Sequence, residues 1–394
     1  MAETASGSFL EEVDEEQLEG ERLTFEPERA LVVERDDQIV ATSGIYTREL
    51  SVPGAVLPAA HVSWVSVALA HRRNGLLRRM IMREFADVRA LGREPIAVLW
   101  ASEGRIYQRF GYGLATMNAS LTADTGEVRV HPRFLATPGQ LRSAIPSKVV
   151  DQLSAVFERV RRQQPGFSGR DERWWQSVLV DPKAHRNGAS AKRVLLHEGP
   201  DGVDGYVIYR TKPGWSGNGP TGETMVRELV AATPAAHARL WAAMLTVDLT
   251  RKTTMQLCSP TAPLLHLVDE PRQLGAKVGD GLWLRILDVP GALAGRHYSA
   301  PVDLVLAVTD EVLPELSGRY RLRADASGMA TSERTDDPAD LACDVATLAA
   351  AYLGGTALST LAAAGRLQEL TDGALRSAGT AFSWHVAPYS TEVF

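Results

Sequence analysis

The stretch between residues 62 and 112 leaves this chain few folds to choose from. It begins Val-Ser-Trp-Val-Ser-Val at 62–67, apolar and β-branched enough to predict a strand. A polar loop follows, His71-Arg72-Arg73-Asn74-Gly75. Leu77, Ile81, Phe85 and Val88 then recur at helical spacing as far as Gly92, a helix stop. Ile-Ala-Val-Leu-Trp at 96–100 predicts a second, buried strand. Ser102 is placed to cap a short helix that ends at Gly111.

The loop has a direct physical reading. Arg72 and Arg73 bring positive charge to a helix start, and Gly75 lets the backbone come close to a ligand. The free N–H groups of Gly75, Leu76 and Leu77 face outward at the positive end of the helix dipole, a combination that holds a pyrophosphate. Taken alone, the same residues also describe a basic turn on an α/β domain. The order strand, Arg-x-x-Gly loop, helix, strand, then Tyr107 four residues before Gly111-Tyr112, resembles the acyl-coenzyme A site of the GNAT acetyltransferase superfamily.

Composition narrows the rest. The 394 residues suggest two or three domains. At 45% hydrophobic and 23% charged, the chain has the balance of a soluble globular protein. A formal net charge of -6 argues against a nucleic-acid partner and suits a cationic one. Both cysteines, Cys258 and Cys343, lie in apolar runs, which predicts core packing rather than a disulfide. No run approaches the ~18 apolar residues of a membrane span. The acidic N-terminus is unlike a secretory signal. These features together predict a cytoplasmic enzyme with no membrane partner.

Taken in order, residues 1–29 carry Glu11, Glu12, Glu15, Glu16, Glu19 and Glu21 beside Phe9, Leu10, Val13 and Leu18, a weak amphipathic helix. Its acids form a solvated face or an acidic rim for a polyamine. Residues 31–33 and 38–46 predict two strands joined at Asp36-Asp37, with 48–52 as an extension and a turn at Pro53-Gly54. No strand is readable before Leu31.

From Gly126 the character changes. Strands at 194–197, 206–209 and 224–231, a helix from Pro234, a strand at 255–258, a helical turn at 264–268 and a strand at 281–287 repeat the first domain's order. The equivalent loop reads Ala-Ala-Thr-Pro-Ala-Ala-His, with no arginine pair and no glycine, and Pro234 removes an N–H that a phosphate would use. The middle domain therefore reads as a second copy without a coenzyme site. His185-Arg186-Asn187-Gly188 copies the first loop's residues but follows Asp181-Pro182 rather than a strand. The last segment predicts strands at 304–308, 318–322 and 341–344, and helices at 347–353 and 356–370 and on to Ala381. Its aromatic end, Trp384 to Phe394, is expected to be packed.

Four groups of residues resemble the Eis (enhanced intracellular survival) family of N-acetyltransferases. They are Val65-Ser66-Val67, His71 to Arg78, Ala101 to Gly104, and Ile106-Tyr107-Gln108-Arg109-Phe110-Gly111-Tyr112-Gly113. Gly281 to Arg285 and the terminal Phe394 add to the likeness. The resemblance implies an α/β (α+β) chain: a GNAT domain over 1–125, a degenerate GNAT-like domain over 126–287, and a sterol-carrier-protein-like α+β domain over 288–394. It implies an acetyl-coenzyme A-dependent N-acetyltransferase, without a metal, acting on primary amines of a small cationic acceptor such as an aminoglycoside, and a homo-oligomer, a hexamer. Protein lysine acetylation and apolar-ligand binding by the last domain are the alternatives. Val65, Ser66, Val67, Arg72, Arg73, Asn74, Gly75, Leu76, Leu77, Arg78, Ser102 and Glu103 would border the coenzyme. Tyr107 matches the general acid, with Tyr112 as its local competitor, and the Phe394 carboxylate matches the general base. Glu11, Trp64 and Glu392 fall where acceptor contacts are expected.

Overall fold

A computed structural model of the chain describes residues 15–394. Its first sheet opens with three antiparallel strands, β1 (Ala30–Arg35), β2 (Gln38–Val52) and β3 (Ala55–Val67). Asp36 and Asp37 both take positive φ, as a two-residue hairpin between right-twisted strands requires. A helix, Leu76–Leu91, then crosses to β4 (Ile96–Trp100), which runs parallel to β3. This helix buries Met80, Ile81, Phe85 and Val88 and stops at Gly92, whose left-handed backbone lets its N–H return to the last turn.

After a short helix, Gly104–Gln108, come β5 (Gly113–Leu114) and β6 (Met117–Asp124). Here the chain departs from the boundaries at 125 and 287. β6 lies in the second sheet, between Lys277–Asp280 and Thr250–Cys258. The strand Leu282–Ile286, expected to close the middle domain, instead fills the gap between β4 and β5 in the first sheet. Leu282–Ile286 is buried at every position, so its apolar run carries no mark of which sheet it joins. The remaining strands of the second sheet are Gly222–Ala231, Gly202–Lys212, Arg193–Gly199 and Gln140–Ala144.

The last domain is a five-stranded sheet around Val302–Thr309 with helices on it. The helix expected over 356–370 is shorter, Leu358–Ala363. Gly365 turns the chain at positive φ, and Leu367–Glu369 becomes an edge strand paired to Leu341–Asp344. Cys258 and Cys343 are buried and free, as expected.

The first sheet is covered on both faces. Ile96 and Val98 point into a core shared with Leu348, Tyr352 and Phe382 of the last domain. Their neighbours Ala97 and Leu99 point the other way, against Ile81, Phe85 and Val88 of the Leu76 helix. A fully buried ion pair, Arg285 Nη2 to Asp310 Oδ2 at 2.5 Å, joins the sheet to the last domain.

Among the described residues no strand precedes β1. The expected amphipathic helix is described only over Glu15–Arg22. Glu11 lies outside the described residues.

Candidate active site

The central irregularity is where β3 leaves β4. The two strands pair only at Ala59, Ala60 and His61. Beyond His61, β3 stays bonded to β2 but not to β4, so its second edge is open as far as Val67. A bulge opposite Thr42 and Gly44 produces the turn, with Trp64 forced to φ 58. The Thr42 hydroxyl fixes the bulge: Oγ1 donates to the Trp64 carbonyl at 2.7 Å and lies 2.7 Å from Ser66 Oγ. An open strand edge presents N–H and C=O groups that an extended ligand arm can pair with.

Next to this edge lies the start of the Leu76 helix. Its cap is Gly75, at φ 76, and no side chain bonds the first-turn amides. A Cβ at Gly75 would meet nothing within 4 Å, so the cradle in front of the helix is open. Arg72 Nε donates to the Val67 carbonyl at 3.1 Å, which folds the loop back on the strand. Among the described residues no carboxylate pairs with Arg72, Arg73 or Arg78. Uncapped amides at a positive helix end, with free guanidinium groups around them, suit a pyrophosphate.

These elements border one cleft of about 870 Å³. Val65, Ser66, Val67, Arg72, Arg73, Gly75, Leu76, Leu77, Arg78, Ser102 and Glu103 line it, with Tyr107 and Phe110. Three expected residues behave differently. Asn74 is exposed and does not line the cleft. Ser102 lines it but caps nothing; Glu103 holds the cap position of the Gly104 helix without a side-chain bond and pairs with Arg105 at 2.8 Å. Trp64 lies off the cleft wall, its Nε1 donating to the Tyr46 hydroxyl at 2.5 Å and its ring edge-on to Phe25.

Tyr107 is a buried residue of the cleft lining, its ring edge-on to Tyr112 at 5.8 Å. Burial first, and then the nearby Glu84 carboxyl, push the Tyr107 phenol up to about 12. Tyr112 is fully buried, does not line the cleft, and its hydroxyl has no partner. Sequence reasoning missed Glu84. This residue sits on the sheet-facing side of the Leu76 helix, hydrogen-bonded to the Ser43 hydroxyl, with Oε2 unpartnered. The signal was present: an acid at 84 falls three residues after Ile81, inside the apolar stripe.

The chain end lies at the other side of the splay. The Phe394 ring is 4.7 Å from the ring of His61, the last β3 residue paired to β4. Burial pushes His61 down to about 3, so it is neutral, with Nδ1 bonded to the Ala59 carbonyl at 2.9 Å and Nε2 to Ser168 Oγ at 2.8 Å. The tail leading there is packed, as its composition predicts: Tyr389 sits edge-on to Phe167, and Asn118 Nδ2 donates to the Ser390 carbonyl at 2.7 Å. The Glu392 carboxylate does not stand open to an acceptor. Arg48 Nη2 holds one oxygen at 2.5 Å and Arg170 Nε the other at 2.9 Å.

In the second sheet the corresponding helix, Pro234–Leu245, is capped by its own Thr233 hydroxyl, which accepts from the Ala236 N–H at 3.2 Å. Its first turn lies so close to the sheet that a Cβ at Gly205 would stand 2.7 Å from Ala236. Arg186 of the look-alike loop is tied to Asp181 instead of standing at a helix start.

Comparison with known proteins agrees with this architecture. Residues 1–115 and 166–286 each match a family model described as an acetyltransferase (GNAT) domain, and 289–391 one described as a sterol carrier protein domain. Fold and cleft thus define a GNAT acetyltransferase followed by a second GNAT domain and a sterol carrier domain. An N-acetyltransferase of Streptomyces avermitilis is 41% identical over 386 residues, 98% of this chain and 93% of its own. The N-acetyltransferase Eis of Mycobacterium tuberculosis is 35% identical over 395 residues, 96% of this chain and 92% of its own. The crystal structure of Eis1 from Mycobacterium abscessus matches with a TM-score of 0.82 at 30% identity, covering 100% of this chain and 96% of that one. The chain belongs to the Eis family of N-acetyltransferases. A GCN5-related N-acetyltransferase from Anabaena variabilis, at 20% identity and a TM-score of 0.85, shares the fold. No helix among the described residues is long and apolar enough to cross a membrane, and none of their His, Cys, Asp and Glu side chains cluster as a metal site.

Proposed function

We propose that the chain moves an acetyl group from acetyl-coenzyme A to a primary amine of a small cationic acceptor of aminoglycoside-like polyamine chemistry. Tyr107 is the general acid and the Phe394 carboxylate the general base. One observation carries this reading: the open edge of β3, the uncapped start of the Leu76 helix and Tyr107 border a single cleft. GNAT acetyltransferases use acetyl-coenzyme A, and the residues present fit it. The open cradle at Gly75, with Arg72, Arg73 and Arg78, would take the pyrophosphate, and Val65 to Val67 would pair with the pantetheine arm. When bound, the coenzyme supplies the activated acetyl thioester.

The chain's own groups then divide the proton work. An ammonium cannot attack a carbonyl, so the acceptor must first lose a proton. The carboxylate of Phe394, whose ring packs on the neutral His61 ring where β3 and β4 part, takes it directly or through a water. A β3 amide at the open edge polarises the thioester carbonyl. Tyr107 keeps its proton through the neutral range and offers it to the departing sulfur. The net charge of -6 and the acids of the Glu15–Arg22 helix favour a cation.

The test uses the chain end. One residue appended after Phe394 turns the terminal carboxylate into an amide. Coenzyme A release should then stop with every acceptor in a panel of polyamines, aminoglycosides and lysine peptides, while acetyl-coenzyme A still binds. A folded, extended protein with full turnover would remove the carboxylate from the mechanism.

A further inference from the structure

We propose that Glu392 is a positioning residue for the chain end: buried arginines of the first two domains clamp its carboxylate and so hold Phe394 at the mouth of the β3–β4 splay. This rests on reading the Phe394 carboxylate as the base.

The clamp is built from both sides. Arg48, on β2, donates from Nη2 to Glu392 at 2.5 Å and from Nε and Nη2 to the Gly169 carbonyl at 3.0 and 2.8 Å. Its guanidinium is stacked 3.7 Å from the centre of the Trp174 ring. Arg170 donates from Nε to the other Glu392 oxygen and from Nη1 and Nη2 to Glu228 at 3.0 and 2.6 Å. The Tyr206 hydroxyl completes the row, donating to Glu228 at 2.7 Å. Both arginine side chains are 1% exposed.

Charge explains why this site needs the tail. Two buried guanidinium groups face two carboxylates, Glu228 from the second sheet and Glu392 from the chain end. Without Glu392 the same pocket would hold two cations and one anion, a costly arrangement away from water. The pocket therefore selects an acid at this place in the tail. Burial alone would raise the Glu392 carboxyl, but Arg170 and Arg48 hold it down at about 2, so it stays charged at any working pH.

Reach explains what the clamp does. Phe394 lies two residues beyond Glu392, a span of at most roughly 7 Å. Val393 is 63% exposed and anchors nothing. The terminal carboxylate is thus confined by two fixed points, the Glu392 clamp and the Phe394 ring on His61. Ser390 Oγ, donating to the Glu392 carbonyl at 3.0 Å, stiffens the approach. The sequence could not show this, because Arg48 and Glu392 are 344 positions apart.

The experiment compares three full-length variants: Glu392→Gln, Arg48→Met/Glu392→Gln, and the chain extended by one glycine. Glu392→Gln should lower kcat by roughly 10²-fold, the scale set by an ångström of misplacement. Acetyl-coenzyme A affinity should not change, and Tm should fall because the pocket is left with an excess cation. The double variant removes that cation, so its Tm should recover while kcat stays low. Recovery of kcat together with Tm would mean the clamp only stabilises, and would overturn the proposal. Full turnover in Glu392→Gln would overturn it as well. The extended chain separates the two readings. If it is inactive while Glu392→Gln is fully active, the clamp fails and the base assignment stands. If it is fully active, the base assignment fails, and the clamp's role with it.

Discussion

Replacing Glu84 by Gln should stabilise the protein at alkaline pH and change little in mild acid. Glu84 is buried under the Leu76 helix with a single partner, the Ser43 hydroxyl, and one oxygen unbonded. Burial pushes its carboxyl up to about 8, and the Ser43 bond and Arg29 pull back only part of that. In the unfolded chain the group returns to its ordinary value of 4.5. Between these values the folded protein keeps a proton that the unfolded chain has released. Stability from this position is therefore fully present below 4.5 and declines as pH rises towards 8. At about 1.4 kcal/mol per pH unit, the loss is about 3 kcal/mol at pH 7 and about 4 kcal/mol by pH 8. Gln has the same shape and can bond Ser43, but has no proton to lose. Thermal melts at pH 5 and pH 8 read the difference. With ~2–4 °C per kcal/mol for a domain of this size class, the variant should gain roughly 8–16 °C at pH 8 and almost nothing at pH 5. An equal shift at both pH values, or a lower Tm at pH 8, would refute the buried-acid argument.

Arg73→Ala should weaken acetyl-coenzyme A binding by about 1.5–3 kcal/mol, the scale of a lost charge-assisted hydrogen bond. Calorimetry checks it, and an unchanged affinity would remove the pyrophosphate from the Gly75 loop. Tyr107→Phe should keep the fold and the coenzyme affinity while lowering turnover by about 10²-fold or more. Unaffected turnover would pass the proton role to water, since Tyr112 is sealed from the cleft. Arg186→Ala should leave acetyl-coenzyme A binding alone, because that side chain serves Asp181 at a turn; a clear loss would put a nucleotide in the middle domain.

Local order was legible where one segment carries its own signals. The strand, loop and helix from 62 to 92 contain an apolar alternation, a glycine at left-handed φ and a glycine stop, and each does locally what its chemistry requires. The packed tail was legible from its aromatic residues. What stayed hidden depends on partners distant in sequence. The bulge at Trp64 is set by Thr42 across the hairpin, so nothing in residues 62–67 announces the open edge. Glu84 stands in a readable apolar stripe, but its one partner, Ser43, lies on β2 and is not announced by the helix. Glu392 read as an acceptor contact because Arg48 and Arg170 meet only after two other domains have folded.

The exchange of strands gives the three domains a common fate. Leu282–Ile286 covers the edge of β4, and β6 leaves the first domain to sit one strand in from the edge of the second sheet. A fragment ending near residue 125 would expose the β4 edge, a pairing hazard that folded proteins avoid. It would also expose Leu50, Ile96 and Val98, whose cover is the last domain. The same fragment would keep the cradle at Gly75 and the open β3 edge, because both are made by residues 38–78 and their neighbours. It would lack the residues that seat the chain end, Arg170 and Ser168, and the chain end itself. The proposed donor site is thus made by the first domain's own backbone. The proposed base, by contrast, reaches the first domain only where the second and third domains pack against it.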